Sequence, residues 1–289
     1  MAKANKYSIR NLKRDFPTDE AILNFIFDTL HSRKCSCGGT YSPLNGRRQF
    51  QCSKCRFQIA PTAGTIFHKS DTPLTLWFHA LFVFSNAKSG VSAKEMERQL
   101  GVTYKTAWRI LGLIRRALPQ STEKLKGDVE MDEGYFGGKG YGGKDNKDLG
   151  KVMSRKSVVI AAIERGGTMR AKQVPNAQSD TIGAFLDANV DRSARLITDK
   201  SNRYDRVAVG YDRHVVDHHR HEYARGDVHT NSVETFWAHV KRSVKGTHKV
   251  ISREHFQEYL DGFVWHRNNR HSDSERFSSL LGAILRGAK

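Results

Sequence analysis

Residues Gly127–Lys139, GDVEMDEGYFGGK, contain the pattern on which the interpretation of this sequence depends. Apolar and acidic side chains alternate, and the segment then enters a glycine-rich turn. Successive side chains of a β-strand point to opposite faces, so Val129 and Met131 share one face and Glu130 and Asp132 share the other. Asp132 is therefore predicted near the end of a central strand, where a carboxylate can hold a hard cation. The alternative for this stretch alone is an acidic turn without a ligand.

Two later stretches can bring further carboxylates to the same point. A strand over Arg195–Thr198 ends at Asp199. In the helix that starts at about Asn231, Glu234 and Lys241 follow at spacings that put all three side chains on one face. Close carboxylates repel one another unless cations lie between them, and two divalent ions would supply that charge. Lys241 would then hold a phosphate nearby. Taken alone, Glu234 is better interpreted as an exposed helical carboxylate.

The order of elements from residue 121 onward matches an α/β catalytic core built on a ribonuclease-H-like mixed sheet flanked by helices. Three strands come first, followed by a helix, a strand, a helix, a strand and a helix. The later elements are predicted at Ser157–Ile163, Met169–Val174, Asp180–Asn189, Arg195–Thr198, Ser201–Val207, His214–Asp217 and from Asn231 onward. The first and fourth strands of such a sheet are neighbours, which places Asp132 beside Asp199. The glycine-rich segment Lys139–Lys151 lacks the spacing of a phosphate-binding loop and is predicted to be a flexible, basic hairpin tip.

Charge is distributed unevenly along the 289 residues. The formal net charge is +18, and residues 1–120 have 19 Lys and Arg against 7 Asp and Glu. A basic front half indicates a polyanionic partner, most commonly nucleic acid, although solubility alone is an alternative explanation. The chain has no apolar run of membrane-spanning length and its first residues do not resemble a signal peptide, so we expect an intracellular protein.

The cysteines predict a zinc ribbon at the front of the chain. A helix predicted over Phe16–Leu30 precedes the segment that contains all of them: Cys35, Cys37, Cys52 and Cys55. Two cysteine knuckles joined by a hairpin offer four thiolates in the tetrahedral arrangement that structural Zn²⁺ accepts. A single residue separates Cys35 from Cys37, where two residues are usual, so His31 is an alternative ligand. Four protein ligands leave no open position, and the expected role is therefore folding stability.

Residues 91–118 have the pattern of a helix-turn-helix. A capping box at Ser92–Glu95 opens a short helix that ends at Leu100, and Gly101 permits the turn. A second helix is predicted over Tyr104–Leu118. Its exposed side chains are expected to meet DNA, with base edges facing the helix start and phosphates facing its end: Tyr104, Lys105, Thr106 and Arg109, then Arg115 and Arg116. The alternative is an ordinary helical hairpin with a solvated basic face.

Several histidines cluster in the sequence ahead of the last helical region: His214, His218, His219, His221 and His229. They can bind a transition metal or donate to phosphate. The alternative is that most are surface residues near the path of DNA.

These residues occur in phrases that together resemble a known family over nearly the whole chain: TAGTIFHKSDTPLTLWF, GVSAKEMERQLGVTYKTAWRIL, VEMDEGYFGGK, LITDKSNRY and HTNSVETFWAHVKR. The sequence resembles DDE-type transposases of bacterial insertion sequences, in the ISXO2-like group with an N-terminal zinc ribbon. The resemblance implies a ribonuclease-H-like catalytic core, two Mg²⁺ or Mn²⁺ ions and a structural Zn²⁺. It also implies cleavage at the terminal inverted repeats of an element and joining of the 3′-hydroxyl to target DNA.

The family motif contains two aspartates, then Asn or Glu, then Lys. Asp132 and Asp199 occupy the first two places, and both Asn231 and Glu234 are available for the third. We expect Glu234 to be the metal ligand because a carboxylate holds Mg²⁺ better than an amide. Asn231 would then form a hydrogen bond to a metal ligand or contact DNA. This sequence departs from the family at the short Cys35–Cys37 spacing and at Lys200, a positive charge next to Asp199.

The resemblance also sets expectations for organisation and partners. Three domains are predicted: residues 1–64 with the zinc ribbon, 65–120 with the helix-turn-helix, and 121–289 with catalysis. The expected partners are double-stranded DNA, at both terminal repeats and target, and at least one further copy of the chain, with no membrane. The expected location is the cytoplasm of a bacterium, at the nucleoid. Two alternative functions are a DNA-binding regulator with an inactive catalytic domain and a ribonuclease-H-type nuclease without strand transfer.

Overall fold

A computed structural model describes residues 7–137, 156–220, 222, 224–271 and 274–287 of the chain. The predicted hairpin tip at Lys139–Lys151 and the histidine at position 221 lie outside these residues, as does the side chain of His219. The chain folds into two compact units, which are residues 1–119 together with 269–289, and residues 120–268.

The helices and strands have the following bounds. In chain order the helices are α1 (Ile9–Asp15), α2 (Asp19–Leu30), α3 (Leu74–Asn86), α4 (Ala93–Leu100), α5 (Tyr104–Arg116), α6 (Ser179–Asn189), α7 (Asn202–Asp205), α8 (Asn231–Ser243), α9 (Phe256–Asn268) and α10 (Arg276–Arg286). The strands are β1 (Tyr41–Pro43), β2 (Phe50–Cys52), β3 (Gln58–Ile59), β4 (Asp128–Phe136), β5 (Ser157–Glu164), β6 (Met169–Val174), β7 (Arg195–Asp199), β8 (Asp212–Val216), β9 (Ala224–Arg225) and β10 (Val228–His229).

The second unit is built on a five-stranded mixed sheet with strand order β6-β5-β4-β7-β8. β4 pairs antiparallel with β5 and parallel with β7, and β7 pairs parallel with β8. The first and fourth strands of the sheet are therefore neighbours, as the predicted strand order requires. Glu130 pairs with Ile197, and Asp132 and Asp199 each lie two residues beyond that pair.

The alternation predicted for β4 is confirmed, because its two faces enter different cores. Val129 and Met131 lie in one apolar cluster with the helix α6. Phe136 lies in the cluster on the other face, where α8 and α9 pack. Glu130 and Asp132, which alternate with Val129 and Met131, therefore face α8.

Helix α8 packs on the sheet through four buried apolar side chains: Val233, Phe236, Trp237 and Val240. Gly134 of β4 makes room for this contact. A Cβ atom at Gly134 would lie 2.7 Å from the ring of Phe136 and 3.1 Å from the ring of Trp237. Real Cβ atoms rarely tolerate such distances, so the glycine lets the indole lie directly over the strand.

The first unit combines the small antiparallel sheet β1–β2–β3 with helices from both ends of the chain. Phe27 of α2 stacks on Phe50 of β2 at 4.0 Å between ring centroids. Asp19 caps α3 from a distance, since its carboxylate accepts bonds from the backbone N–H groups of Leu74 and Thr75, each at 2.9 Å.

The last helix, α10, belongs to this first unit. Its Phe277 stacks on Tyr7 at 5.1 Å and meets Phe78 of α3 edge-on at 6.4 Å. The N-terminal and C-terminal segments therefore share one aromatic core.

The two helices of the predicted DNA-binding motif are present, with boundaries close to those expected. Ser92 caps α4 by accepting a hydrogen bond from the N–H of Glu95, and Gly101 ends it with φ of 65°. Thr103 caps α5, which ends at Arg116 rather than at Leu118. In the part of the chain that the structure describes, no helix has the length and apolar character needed to cross a membrane.

Candidate active site

Asp132 lies on the α8 side of the sheet, next to Asp199. The indole Nε1 of Trp237 donates to Oδ2 of Asp132 at 3.0 Å. Burial, with smaller contributions from the negative charges of Asp199 and Glu234, raises the pKa of Asp132 to about 6. Because both charges act on Asp132, the three carboxylates predicted from the sequence are electrostatic neighbours in the folded chain.

Glu234 lies in the first turn of α8 and remains partly open to solvent. Its Oε1 accepts a hydrogen bond from the hydroxyl of Thr230 at 2.8 Å and lies 3.5 Å from Nε2 of His218. The side chain is 49% exposed. Among the residues described, only the four cysteines bring three or more ligand atoms within 4.8 Å of one another. The three carboxylates are thus neighbours without meeting at a common point.

Asn231 and Lys241 lie on the same exposed face of α8 as Glu234. Asn231 is the first residue of the helix, and Lys241 is in its last turn. The shared face expected from the sequence is confirmed, since the intervening Val233 and Val240 are buried. This arrangement puts one amide, one carboxylate and one ammonium group along a single exposed ridge.

The position of α8 is set by Glu130, a residue to which the sequence assigns no role. Its carboxylate is completely buried. Oε2 accepts from the backbone N–H of Ser232 at 2.7 Å and of Val233 at 3.3 Å, and Oε1 accepts from the Ser232 hydroxyl at 2.9 Å. The residue preceding the helix, Thr230, makes no side-chain capping bond. Glu130 therefore caps α8 from the neighbouring strand, where the positive end of the helix dipole favours its charge.

Arg165 neutralises this buried carboxylate. Its Nε donates to Oε1 of Glu130 at 2.8 Å. The same guanidinium donates to the backbone carbonyl of Asp227 at 2.6 Å and of His229 at 2.9 Å. One arginine therefore joins the β5–β6 turn, the β9–β10 hairpin and β4. A buried ion pair held by this many hydrogen bonds is destabilised strongly when one partner is removed.

The sequence contains a signal for Glu130, although it does not identify the partner. The face of β4 on which this residue lies is covered by the helix that contains Val233, Phe236 and Trp237, so an acidic residue there becomes buried, and a buried carboxylate requires hydrogen-bond donors. The donors lie 102 residues further along the chain, and sequence spacing cannot indicate them.

Glu133 links the opposite face of β4 to the segment after Asp199. The hydroxyl of Tyr204, a fully buried residue of α7, donates to Oε1 of Glu133 at 2.6 Å. Burial raises the pKa of Glu133 to about 7. Lys200, the unusual cation beside Asp199, forms an ion pair with Asp217 at 2.9 Å. Both contacts fix the backbone on either side of the two aspartates.

The four cysteines form a group that can hold one metal ion, and all four Sγ atoms lie within 4.8 Å of one another. Sγ of Cys35 is 3.7 Å from Sγ of Cys55. Sγ of Cys37 is 3.4 Å from Sγ of Cys52. A tetrahedral Zn²⁺ site with Zn–S bonds near 2.3 Å requires sulfur atoms about 3.8 Å apart. The short spacing between Cys35 and Cys37 is therefore compatible with zinc.

Neighbouring residues favour the thiolate form and the tight turn. The Tyr41 hydroxyl donates to Sγ of Cys35 and lowers the pKa of that thiol to about 6. A Cβ at Gly39 would lie 2.5 Å from Sγ of Cys52, so only glycine fits there. His31, the alternative ligand, packs against Phe27 and is not part of the group.

Most of the side chains predicted to contact DNA are accessible on α5. Tyr104, Lys105, Arg109 and Arg116 are exposed and Thr106 is half-buried. Lys94 of α4 lies over the ring of Tyr104 at 5.6 Å, which extends the positive surface. Arg115 is the exception, since it is buried with 4% exposure. Its contact with a phosphate stays a prediction.

The clustered histidines have separate roles where the structure describes their side chains. His214 pairs with Asp212 at 3.0 Å, and His229 lies 3.1 Å from Arg165. His218 lies beside Glu234. None of these three belongs to a group of metal-ligand atoms within the described part of the chain.

Comparisons with known proteins match the unit that contains the carboxylates. The sequence profile of the ISXO2-like transposase domain matches residues 124–268. An uncharacterized protein in transposable element ISH50 of Halobacterium salinarum is 27% identical over 252 residues, which cover 82% of this chain and 85% of that protein.

A second relative covers a shorter stretch. An uncharacterized transposase-like protein of Haemophilus influenzae is 30% identical over 115 residues, 40% of this chain and 91% of that protein.

Removing the metal from the cysteine group tests its structural role. We expect one Zn²⁺ per chain by mass spectrometry under native conditions. Cys52→Ser should lose the ion and unfold the β1–β3 sheet, because metal binding supplies folding free energy to such modules. Ser53→Ala, next to it, is the control. A Cys52→Ser chain that keeps both the ion and the protease resistance of residues 31–60 would contradict a structural metal.

Substitution of Glu130 tests the cap on α8. Glu130→Ala leaves Arg165 and the helix N–H groups without their buried partner, so we expect the free energy of unfolding to fall by about 3–5 kcal/mol. Asp128→Asn is the matched control, because Asp128 is 35% exposed and lies 3.5 Å from Arg165. Its loss should cost about 1 kcal/mol or less. Urea denaturation measures the free energy of unfolding of both variants. Equal losses would show that the Glu130 carboxylate contributes no more to stability than the partly exposed Asp128.

The raised pKa of Asp132 predicts how stability depends on pH without divalent ions. The folded chain holds this proton more tightly than the unfolded chain does. The resulting stabilisation is present below pH about 4 and is lost as the pH rises through about 6. Asp132→Asn should therefore stabilise the metal-free chain at pH 8 by about 1–3 kcal/mol.

Glu133 titrates nearby, so Asp132→Asn should reduce the decline in stability with rising pH without abolishing it. Asp187→Asn, at an exposed site paired with Arg192, is the control for the substitution itself. Thermal denaturation from pH 4 to 8 measures the difference, and identical pH profiles for wild type and Asp132→Asn would contradict the raised pKa of Asp132.

Proposed function

This chain belongs to the ISXO2-like transposase family, and from that membership we propose that it cleaves the ends of a DNA element and joins them to target DNA. The second unit, residues 120–268, is the proposed catalytic domain. The observation that carries the proposal is that Asp132, Asp199 and Glu234 lie on the α8 side of the sheet, close enough for the charges of the last two to act on Asp132. Burial and, to a smaller extent, these charges raise the pKa of Asp132, and divalent cations would relieve the repulsion.

The donor set fits hard cations, since it consists of carboxylate oxygens. Asp132, Asp199 and Glu234 would hold two Mg²⁺ or Mn²⁺ ions, which activate the attacking oxygen and stabilise the leaving oxygen when they are bound. Asp132 accepts from the indole N–H of Trp237 and from the backbone N–H of Glu133, and a carboxylate has further lone pairs for a cation. Glu234 reaches the site by turning away from the Thr230 hydroxyl. We assign Glu234 rather than Asn231 as the third ligand because its charge already acts on Asp132.

The reaction consists of two phosphoryl transfers. In the first, a water oxygen attacks the phosphorus at the end of the element and the P–O3′ bond breaks, which leaves a 3′-hydroxyl and a 5′-phosphate. In the second, that 3′-hydroxyl attacks a phosphorus of target DNA and releases a target 3′-hydroxyl. Lys241, on the same ridge as Glu234, would bind a phosphate oxygen and offset developing negative charge.

Recognition of DNA is proposed for the first unit. Helices α4 and α5 would act as a helix-turn-helix on the terminal repeats, with Tyr104, Lys105, Thr106 and Arg109 facing base edges and Arg116 facing a phosphate. The cysteine module would support this surface or add a contact to DNA. Two ends must be held together before joining, so we propose a dimer or a higher oligomer on DNA.

Cleavage of an end substrate tests the proposal. We expect wild type to nick a duplex that contains the terminal repeat bordering its gene, in the presence of Mg²⁺ or Mn²⁺. Asp132→Asn, Asp199→Asn and Glu234→Gln should each reduce the rate by a factor of about 10³ or more, because each removes a charge that holds the ions. Asn231→Ala should remain within about tenfold of wild type. Asp187→Asn is the matched control and should cleave normally.

Two outcomes would replace the proposal by another function. Tight binding of the repeat with no nicking by wild type, in either metal, would indicate a DNA-binding regulator. Nicking without joined product from pre-cleaved ends would indicate a nuclease.

A further inference from the structure

The segment that begins at Lys241 forms an exposed, strongly basic surface, of which the proposed chemistry uses Lys241 alone. We call residues 241–253, KRSVKGTHKVISR, the basic turn. They contain five Lys and Arg and no Asp or Glu. The side chains of Lys241, Arg242, Lys245, Lys249 and Arg253 are all exposed. Within the described parts of the chain, no carboxylate forms an ion pair with any of the four that precede Arg253.

An apolar side chain stands in the middle of this positive surface. Val250 is 84% exposed, and no other exposed large apolar residue in the described ranges is as open to solvent. A single exposed valine is ordinary on a protein surface. Its position between Lys249 and Arg253, at the tip of a turn, is what requires an explanation.

The backbone that presents Val250 is strained. Lys249 has φ of 64° and ψ of −60°, and the N–H of Val250 donates to the carbonyl of His248 at 2.8 Å. These features define a γ-turn with positive φ, a rare conformation that is unfavourable for a residue with a side chain. Glycine would adopt it without cost, yet the chain has lysine here. Strain of this kind occurs most often at functional sites.

The structure on both sides holds the turn in place. His248 packs edge-on against Tyr259 of α9 at 4.9 Å. The carbonyl of Arg253 accepts a hydrogen bond from Gln173 at 3.0 Å. Val244 and Ile251 pack on the apolar cluster beneath. The tip is therefore displayed on a fixed base, and little order would need to be gained on binding.

We propose that the basic turn is a contact surface for duplex DNA beside the catalytic carboxylates, where Lys245 and Lys249 bind phosphates and Val250 packs against a sugar or base in the groove. This inference rests on the proposed function. Lys241 lies seven residues after Glu234 in the same helix, about 10 Å along its axis, so the turn lies a few base pairs from the reacting phosphate. The Lys and Arg side chains supply affinity for the phosphate backbone. An apolar side chain among them, such as Val250, is typical of proteins that insert a residue into a DNA groove.

A second copy of the chain is the competing partner for this surface. Two identical basic turns would repel each other, and a dimer built on them would require acidic partners from elsewhere. The phosphates of DNA neutralise the positive charge of the basic turn directly, and DNA is already the substrate of the proposed reaction.

Binding measurements on the full chain test the proposal. The probe is the fluorescent repeat duplex used for cleavage, titrated over a range of salt concentrations. Lys245→Ala with Lys249→Ala should weaken binding at least about tenfold and lower the salt slope of log Kd by about 2. Val250→Ala should weaken binding about fivefold without changing the slope, because it removes apolar contact only. The matched controls are Lys124→Ala with Lys126→Ala, at exposed lysines, and Val209→Ala, at a valine that is 72% exposed.

The strained backbone of Lys249 allows a second test, in which the Tm and the DNA affinity of one variant are compared. A turn with a purely structural role would not give the result described here. Lys249→Gly relieves the backbone and should raise Tm by about 2–4 °C while it weakens DNA binding. Lys245→Ala should weaken binding similarly and leave Tm unchanged. If Lys249→Gly raises Tm and weakens DNA binding, the strained conformation of Lys249 is kept for binding and not for stability.

The outcomes separate this proposal from the proposed function. Wild-type binding and nicking, combined with turn variants that bind like the controls, would refute the role of the turn and leave the transposase intact. A wild-type chain that neither binds nor nicks the repeat would refute both. If Val250→Ala changes the sedimentation of the free chain but not its affinity for DNA, the surface belongs to a second copy and the proposal is wrong.

Discussion

The buried contact between the Glu130 carboxylate and the first N–H groups of α8 is the constraint on which the candidate active site depends. It joins the central strand to the helix that carries Glu234, and Arg165 compensates its charge. Apolar packing through Val240 and its neighbours holds the helix against the sheet, but packing alone permits sliding and rotation. Directional hydrogen bonds to a fixed carboxylate define where the helix begins and which side chains face the aspartates.

Glu130 and Asp132 lie on the same face of β4, but their different hydrogen-bond partners give one a structural role and leave the other suited to chemistry. Glu130 is surrounded by donors and an arginine, so its negative charge is stabilised in the folded chain. Asp132, two residues later, receives an indole N–H and one backbone N–H, is largely buried and faces two further carboxylates. Its charge is therefore poorly compensated by the protein. Such a residue is suited to binding a cation. Repulsion among the carboxylates lowers the stability of the metal-free chain, as is expected for a site arranged to bind metal.

The sequence predicted the local features because they depend on short-range patterns. Alternation in β4, the shared exposed face of Asn231, Glu234 and Lys241, and the cysteine group were available from spacing. The neighbouring positions of Asp132 and Asp199 came from the order of elements, which matches a ribonuclease-H-like sheet. Contacts between distant segments were not available in either way. Glu130 caps a helix 102 residues away and Asp19 caps one 55 residues away, and periodicity contains no information about either pairing. The burial of Arg115 was missed because a long basic side chain near a helix end is usually solvated.

Anomalous scattering from crystals grown with Mn²⁺ and end DNA would test most directly whether Asp132, Asp199 and Glu234 hold the reactive ions together. We expect two manganese peaks in contact with all three carboxylates, with the Glu130 bond to Ser232 unchanged. The absence of a peak at Asp132, or peaks coordinated by Asn231 while Glu234 stays on the Thr230 hydroxyl, would contradict the assignment of the site.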